Sequence, residues 1–271
     1  MAQAPLRILG IIAGNGVYPR LLADSARKAG VKKIVAAAFT RETDPSLDQH
    51  VDLVEWMRVG QLSRLLKFFQ ERKIHHAIMA GQIAPKNLFD LRPDWKALLM
   101  LARLKERNAE SIFAAIGGEL SKIDIELLPA TSFLENYLAP GGLICGAQLT
   151  RREEEDVDLG WTTAKEIARM DVGQTVVVKN GTVLAVEGFE GTNEAIKRGG
   201  VLAREGAVVV KVSKPNQDMR FDVPVIGVET IGVAREAHIR VIAVEAGKTL
   251  LLERDAIIDL AERAKISIVA R

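Results

Sequence analysis

The chain has 271 residues, 48% of them hydrophobic, which is enough for one large domain or two medium ones with packed cores. Its formal net charge of +2 and the lack of a long basic run argue against a general nucleic-acid binder. The single cysteine, Cys145, excludes an intramolecular disulfide framework and is consistent with a reducing cytoplasm. The apolar run near the N-terminus is too short for a membrane span or a secretion signal, so we expect a protein that is soluble or at most peripheral to a membrane.

The first 40 residues predict a strand, a helix and a second strand. The sequence LRILGIIA at 6–13 is typical of a buried strand, residues 17–29 have a helical pattern, and KIVAAAF at 33–39 predicts the second strand. Such a unit implies a parallel sheet, because its two strands run in the same direction.

Gly14 and Gly16 lie in the turn between the first strand and the helix. Backbone N–H groups at such a turn can hold a phosphate, and glycine lets a ligand approach closely. The dinucleotide fingerprint is incomplete, however, because Pro19 stands where its third glycine belongs. Three interpretations therefore stay open: an NAD site, a contact with another nucleotide or phosphate, and a tight turn without a ligand.

The pattern continues with a strand at 51–59, a helix at 60–73 and a strand at 75–79. The last of these strands ends in a second turn of small residues, which contains Gly81 and Gln82. Ligands of open α/β sheets bind at the carboxyl edges of the strands. We therefore expect the two turns to share one crevice.

Residues 94–105 predict a helix that is apolar over much of its surface, from Trp95 to Leu104. Such a helix is usually buried in a core or an interface, and a groove for an acyl chain is the alternative. Beyond this helix, the sequence APGG at 139–142 is the best candidate for a linker. It predicts one domain at 1–138 and a second at 143–271.

The second half of the chain predicts a mixture of helices and strands. The charge run at 151–158 indicates a solvated helix start, and TVVVK and TVLAVE flank Asn180-Gly181, a strong signal for a hairpin. We expect Thr192 or Asn193 to cap the next helix, whose first N–H groups would suit an anion.

Charged side chains are concentrated at the end of a predicted strand at 207–212 and directly after it. Pro215 and Pro224 bracket them and restrict the residues before them to extended conformations. Lysine and arginine beside carboxylates suit a phosphorylated ligand whose charge is shared with a divalent metal. An ordinary surface loop of mixed charge is the alternative interpretation. The side chains concerned are Lys211, Lys214, Asp218, Arg220 and Asp222.

Five motifs taken together resemble one family, the metal-dependent LpxI type of UDP-2,3-diacylglucosamine pyrophosphatase from lipid A biosynthesis in some Gram-negative bacteria. They span almost the whole chain in order, and the block at 214–224 together with EGTN at 190–193 is quite specific. The motifs are GIIAGNGVYP at 10–19, AGQ at 80–82, EGFEGTN at 187–193, KPNQDMRFDVP at 214–224 and AVEAG at 243–247.

The resemblance implies an α/β fold of two domains, an N-terminal Rossmann-like domain with a parallel sheet and a C-terminal mixed α/β domain, with the active site between them. It implies a hydrolase that uses water to cleave the diphosphate of a UDP-linked diacyl sugar lipid, giving UMP and 2,3-diacylglucosamine 1-phosphate (lipid X). It further implies Mg²⁺ or another divalent cation such as Mn²⁺, a cytoplasmic location with peripheral contact to the inner membrane, and a homodimer. Nucleic acid is not expected as a partner.

The resemblance places the essential aspartate at Asp222, with Asp218 as a second candidate, and both are expected to be catalytic residues and metal ligands. Whether Asp222 binds the metal or orients the attacking water stays open. Two other functions are alternatives: an NAD(P)-dependent oxidoreductase that uses the first strand–helix–strand unit, and a non-catalytic regulator that binds a nucleotide sugar or a lipid. The residues expected to bind substrate are Gly14, Gly16, Gly81, Gln82, Thr192, Asn193, Lys211, Lys214 and Arg220.

Overall fold

The computed structural model describes residues 6–83, 93–105, 108–215 and 217–271, which form two compact units. The first unit contains the chain up to Glu135 and, in addition, Met219–Asp222. The second unit contains Asn136–Asp218 and Val223–Arg271. The linear division predicted from the sequence does not include the short return of Met219–Asp222 to the first unit.

The first unit is built on a parallel sheet with the strand order β3-β2-β1-β4-β5. In its two longest strands nearly every side chain is buried, which is typical of a parallel sheet covered on both faces. The predicted strand–helix–strand start is therefore confirmed. The elements are β1 (Ile8–Ala13), α1 (Tyr18–Lys28), β2 (Lys33–Phe39), β3 (Leu53–Met57), α2 (Leu62–Glu71), β4 (His76–Ala80), α3 (Trp95–Ala102), α4 (Ala109–Ser121) and β5 (Glu126–Leu127).

Helix α3 differs from its prediction in both length and burial. Asp94 caps it, because its carboxylate accepts a hydrogen bond from Ala97 N at 2.9 Å, and the helix ends at Ala102 rather than Lys105. Among its residues, Ala97 and Met100 are buried, whereas Trp95 and Leu98 are 72% and 52% exposed. One face of this helix is therefore exposed rather than buried in the core, and the predicted interface and acyl-chain groove stay predictions for that face.

The second unit contains a six-stranded mixed sheet with the order β6-β13-β11-β9-β7-β8. Strands β9, β11 and β13 are parallel to one another, and the outer strands pair antiparallel. The predicted fold class, an N-terminal domain with a parallel sheet and a C-terminal mixed α/β domain, is thus confirmed. The elements are β6 (Gly142–Cys145), α5 (Arg151–Arg169), β7 (Thr175–Lys179), β8 (Thr182–Val186), α6 (Thr192–Ala203), β9 (Ala207–Lys211), β10 (Val225–Ile226), α7 (Val228–Glu236), β11 (Ile239–Val244), β12 (Leu250–Leu251), α8 (Arg254–Arg263) and β13 (Ser267–Ala270).

The predicted hairpin is confirmed, and the structure adds a buried carboxylate to it. Asn180 and Gly181 both have positive φ angles, 52° and 73°, as the tight turn between β7 and β8 requires. Asp156, which is only 3% exposed, accepts hydrogen bonds from their two N–H groups at 2.8 and 2.7 Å. The charge run that predicted a solvated helix start therefore includes one residue with a structural role.

Among the described residues, each unit has a hydrophobic core that lies against a face of its own sheet. In the second unit a further apolar cluster joins α5 to the other face of the mixed sheet, through side chains such as Val157, Val178 and Val210. Across the described ranges, no helix is both long enough and apolar enough to cross a membrane.

Candidate active site

The two glycine turns of the first unit lie side by side. Gly14 N donates a hydrogen bond to Ala80 O at 2.7 Å, and Asn15 N donates one to Gln82 O at 2.6 Å. A Cβ atom on Gly14 would lie 2.5 Å from Gln82 O, and one on Gly81 would lie 2.5 Å from Asn15 O. Contact between two stretches of backbone therefore explains both glycines without a ligand.

The position of Gly16 favours glycine for a different reason. Its φ angle is +86°, in the region that favours glycine, and a Cβ atom there would meet no neighbour within 4 Å. Beside it lies a small pocket, also lined by Arg20 and Thr43, with room for about one water molecule. The turn thus presents open space at Gly16 and closely packed backbone at Gly14.

The polar side chains of the second unit gather where its parallel strands end. Strands β9 and β11 are neighbours and run in the same direction, so their carboxyl ends lie at one edge of the sheet. Lys211 is the last residue of β9, and Glu245 follows β11 directly. This carboxyl edge is the place where ligands bind in sheets of this type.

A lysine and a glutamate, both buried, are joined at this edge through one hydroxyl group. Lys211, 7% exposed, donates hydrogen bonds to Thr192 Oγ1 and to Val225 O, each at 3.1 Å. Thr192 in turn donates to Glu187 Oε1 at 2.9 Å, and Gln174 N donates to the other oxygen of Glu187 at 3.2 Å. Charges this deeply buried are costly unless they are hydrogen-bonded and balanced, and this cluster provides both conditions.

The start of α6 differs from the prediction that Thr192 or Asn193 caps it. The capping position belongs to Gly191, with φ at +85°, and Thr192 is the first helical residue. The hydroxyl of Thr192 is engaged by Glu187 and Lys211 instead, and Asn193 Nδ2 donates to Glu229 Oε1 at 3.0 Å. The first turn of α6 therefore has no side-chain cap, and it begins beside the buried ammonium group of Lys211.

Glu245 receives four hydrogen bonds from three residues. Its Oε2 atom accepts from Ser213 N at 2.9 Å, from Ser213 Oγ at 2.6 Å and from Lys165 Nζ at 2.6 Å. Its Oε1 atom lies 2.8 Å from Lys248 Nζ. Burial raises the pKa of Glu245, but the hydrogen bonds from Lys165, Lys248 and Ser213 outweigh burial and lower the pKa to about 2. These contacts of Glu245 cannot be predicted from neighbouring residues, because Lys165 and Glu245 are far apart along the chain.

The loop that follows Ser213 contains Lys214 and Asp218, both partly buried. Lys214 N donates to Gln217 Oε1 at 2.7 Å, and the Lys214 ammonium group forms an ion pair with Asp171. The Nε2 atom of Gln217 is buried and has no hydrogen-bond partner among the described residues. The same holds for Gln174 Oε1, at the start of β7. Buried polar atoms of this kind usually find a hydrogen-bond partner, so these two amides stand out from the other buried polar groups near the loop.

Arg220 and Asp222 belong to the first unit, whereas Asp218 belongs to the second. Met219 O accepts a hydrogen bond from Ala130 N at 2.7 Å. The ring of Phe221 lies 5.9 Å from the ring of Phe113 on α4, and the guanidinium carbon of Arg220 lies 5.8 Å from the Phe221 ring. These contacts hold the segment of Asp222 against the first unit, with the carboxylate partly exposed.

The donor chemistry of Asp218 and Asp222 suits magnesium. In the part of the chain that the structure describes, no three His, Cys, Asp or Glu side chains form a cluster able to hold a metal ion by themselves. Mg²⁺ is commonly held by one or two carboxylates together with water and substrate phosphate oxygens, rather than by a cage of protein ligands. Each of these two partly exposed aspartates therefore has the donor chemistry of a ligand for an ion that is bound together with a phosphorylated substrate.

The fold defines the class of this protein, a two-domain α/β protein. Its second sheet has a carboxyl-edge cluster, in which the hydroxyl of Thr192 joins the buried side chains of Lys211 and Glu187. The model of the LpxI N-terminal domain matches residues 8–137, and that of the LpxI C-terminal domain matches residues 140–269. The UDP-2,3-diacylglucosamine pyrophosphatase LpxI of Caulobacter vibrioides is 30% identical over 268 residues, which cover 95% of each chain. The chain belongs to the LpxI family. This result confirms the resemblance carried by the five motifs and the predicted class of enzyme, a hydrolase of a diphosphate bond.

Proposed function

We propose that the protein hydrolyses the diphosphate of UDP-2,3-diacylglucosamine, giving UMP and 2,3-diacylglucosamine 1-phosphate, in lipid A biosynthesis. The observation that carries this proposal is the match to the Caulobacter vibrioides pyrophosphatase, which extends over both domains and 95% of each chain. Water forms the new bond to phosphorus, and the bridging oxygen leaves with the electron pair of the broken P–O bond.

The carboxyl-edge cluster supports this reaction because the diphosphate is negatively charged and its charge redistributes as the bond breaks. A buried ammonium group, such as that of Lys211, interacts with such charge more strongly than an exposed one, since little water screens it. The first turn of α6, at Thr192, adds N–H groups that favour an anion. Lys214 and Arg220 remain the further cations proposed to bind phosphate oxygens.

Asp222 and Asp218 are the residues proposed to hold the divalent cation. When bound, the cation supplies positive charge to the phosphate oxygens and lowers the pKa of a bound water. Asp222 has two roles open to it, because a partly exposed carboxylate can bind the cation or accept the proton of the attacking water. Gln217 Nε2 and Gln174 Oε1, which have no partner among the described residues, are proposed as one donor and one acceptor for polar groups of the substrate.

A diacylated substrate resides in a lipid bilayer, so we further propose peripheral contact with the membrane through α3. Trp95, Leu98 and Leu99 are 72%, 52% and 39% exposed and lie on one helical face, at positions i, i+3 and i+4. Arg103 and Lys105 are exposed just beyond the end of the helix. Exposed tryptophan and leucine beside basic residues suit a surface of anionic lipid. The homodimer and the cytoplasmic location also stay proposals, and light scattering of the purified protein tests the former.

Incubation of the purified protein with the UDP-linked diacyl sugar, in Mg²⁺ and in EDTA, tests the main proposal. Phosphorus NMR distinguishes the diphosphate from the two monophosphate products. We expect equal amounts of UMP and sugar 1-phosphate in Mg²⁺ and neither product in EDTA. Binding of the intact substrate without any cleavage, under every divalent cation tried, would instead support a regulator.

A further inference from the structure

Hydrogen bonds hold the main chain directly after β9, and Glu245 accepts two of them. Ser213, 1% exposed, gives both its main-chain N–H and its hydroxyl to one oxygen of Glu245. One residue earlier, Val212 N donates to Gln174 O at 3.0 Å. The main chain is therefore held on both sides immediately before Lys214.

Glu245 itself has little freedom to move. Its carboxylate is 8% exposed and is neutralised by Lys165 from α5, while Lys248 holds its second oxygen. Lys165 Nζ also donates to Ser213 O at 3.0 Å, so the same ammonium group holds the carboxylate and the main chain that the carboxylate binds. Carboxylate, ammonium group and Ser213 thus form one closed hydrogen-bonded unit.

We propose that Glu245 is a positioning residue for the diphosphate hydrolysis: by holding Ser213, it fixes where the segment carrying Lys214 and Asp218 begins. This inference rests on the proposed function, because Lys214 and Asp218 are assigned roles only in the hydrolysis of the diphosphate. A structural ion pair without such a role is the competing explanation. Misplacement of catalytic groups by a fraction of an ångström lowers the rate of the chemical step far more than it weakens substrate binding.

Two substitutions of Glu245 separate the explanations. Glu245→Ala removes every hydrogen bond to Ser213, whereas Glu245→Gln removes the charge but keeps a carbonyl oxygen that can accept from Ser213 N and Oγ. Asp156→Ala is the matched control, because Asp156 is also a buried carboxylate that accepts two main-chain N–H bonds, in the turn at the opposite end of β7.

Steady-state kinetics with Mg²⁺ provides the first measurement. We expect Glu245→Ala to lower kcat at least ~10-fold with KM changed less than ~3-fold, because a misplaced group acts in the transition state. Glu245→Gln should keep kcat within ~3-fold of the wild-type value, and Asp156→Ala should lower the melting temperature with kcat within ~2-fold. Equal losses of kcat in Glu245→Gln and Glu245→Ala, or an unchanged kcat in Glu245→Ala, would overturn the proposal.

Hydrogen exchange of the substrate-free protein provides a second measurement that needs no activity. Faster exchange confined to residues 212–218 in Glu245→Ala, and absent from that segment in Asp156→Ala, supports the positioning role. Unchanged exchange in that segment contradicts it. If the wild-type protein cleaves no diphosphate, the proposed function fails, while the exchange result still decides whether Glu245 holds the loop.

Discussion

The ammonium nitrogen of Lys211 lies 3.1 Å from the hydroxyl oxygen of Thr192, so the last residue of β9 is bonded to the first residue of α6. The same hydroxyl donates to the buried carboxylate of Glu187. Strand end, helix start and carboxylate are thereby held as one unit at the carboxyl edge of the second sheet.

Lys211→Met tests this unit. We expect a loss of stability of about 3 kcal/mol, because the substitution leaves the buried Glu187 without its nearby cation, and a loss of activity of at least ~100-fold. Urea unfolding and UMP release measure the two effects. The matched control is Lys179→Met. Lys179 is the last residue of β7, whose other end pairs with Lys211, and its ammonium group donates to the main-chain oxygens of Ala203 and Glu205. Equal loss of activity in both variants would contradict a special role for Lys211.

Glycines 81 and 16 provide a second test, of packing in the first unit. Both have φ near +90°, but only at Gly81 would a Cβ atom meet backbone, 2.5 Å from Asn15 O. We expect Gly81→Ala to cost at least ~2 kcal/mol more than Gly16→Ala, whose cost of about 1 kcal/mol is conformational alone. Urea unfolding curves give the difference. Equal costs would show that the two turns can separate without penalty.

The pH dependence of stability tests the state of Glu245. Its pKa is lowered from 4.5 to about 2 in the folded protein, so the unfolded chain binds the proton first as the pH falls. The stabilisation by Glu245 is therefore complete above about pH 4.5 and is lost as the pH falls through that value towards about 2. Urea unfolding between pH 6 and pH 3 measures it, and Glu245→Gln should flatten this part of the curve. If Glu245→Gln loses as much stability as the wild-type protein when the pH falls, then groups other than Glu245 cause the loss.

Co-sedimentation with vesicles tests the exposed face of α3. We expect Trp95→Ser with Leu98→Ser to lower binding to anionic vesicles at least ~5-fold, because two exposed apolar side chains no longer insert. Val201→Ser with Leu202→Ser is the control, since these exposed side chains lie on α6 in the second unit. Equal binding by the wild-type protein, the variant and the control would contradict the proposed contact of α3 with the membrane.

Local sequence patterns predicted the elements whose cause is local. Runs of apolar residues identify β1, β2 and β9, and Asn180-Gly181 identifies the hairpin, because strand burial and turn geometry depend on a few neighbouring residues. The caps formed by Asp94 and Thr150 were not predicted, but they too have a local cause, because each side chain accepts from the main chain three positions on.

Features that depend on residues far apart in the sequence were not predicted. Thr192 fails to cap α6 because Lys211 and Glu187 engage its hydroxyl, and neither engagement follows from the residues around Thr192. Glu245 accepts a hydrogen bond from Lys165, which lies eighty positions earlier in the chain. The return of Met219–Asp222 to the first unit depends on packing against residues such as Phe113. The predicted substrate and metal roles of the individual site residues stay predictions.

The most direct test of the central claim compares Asp222→Asn with the wild-type protein in the release of UMP from UDP-2,3-diacylglucosamine. Asp48→Asn is the control, because Asp48 is an exposed aspartate of the same unit. We predict Mg²⁺-dependent release by wild type and control, and a rate at least ~100-fold lower in Asp222→Asn, whose amide is neither an anionic metal ligand nor a base. An Asp222→Asn variant as active as the wild-type protein would contradict the assignment of this aspartate, and absence of UMP from the wild-type protein would contradict the proposed reaction.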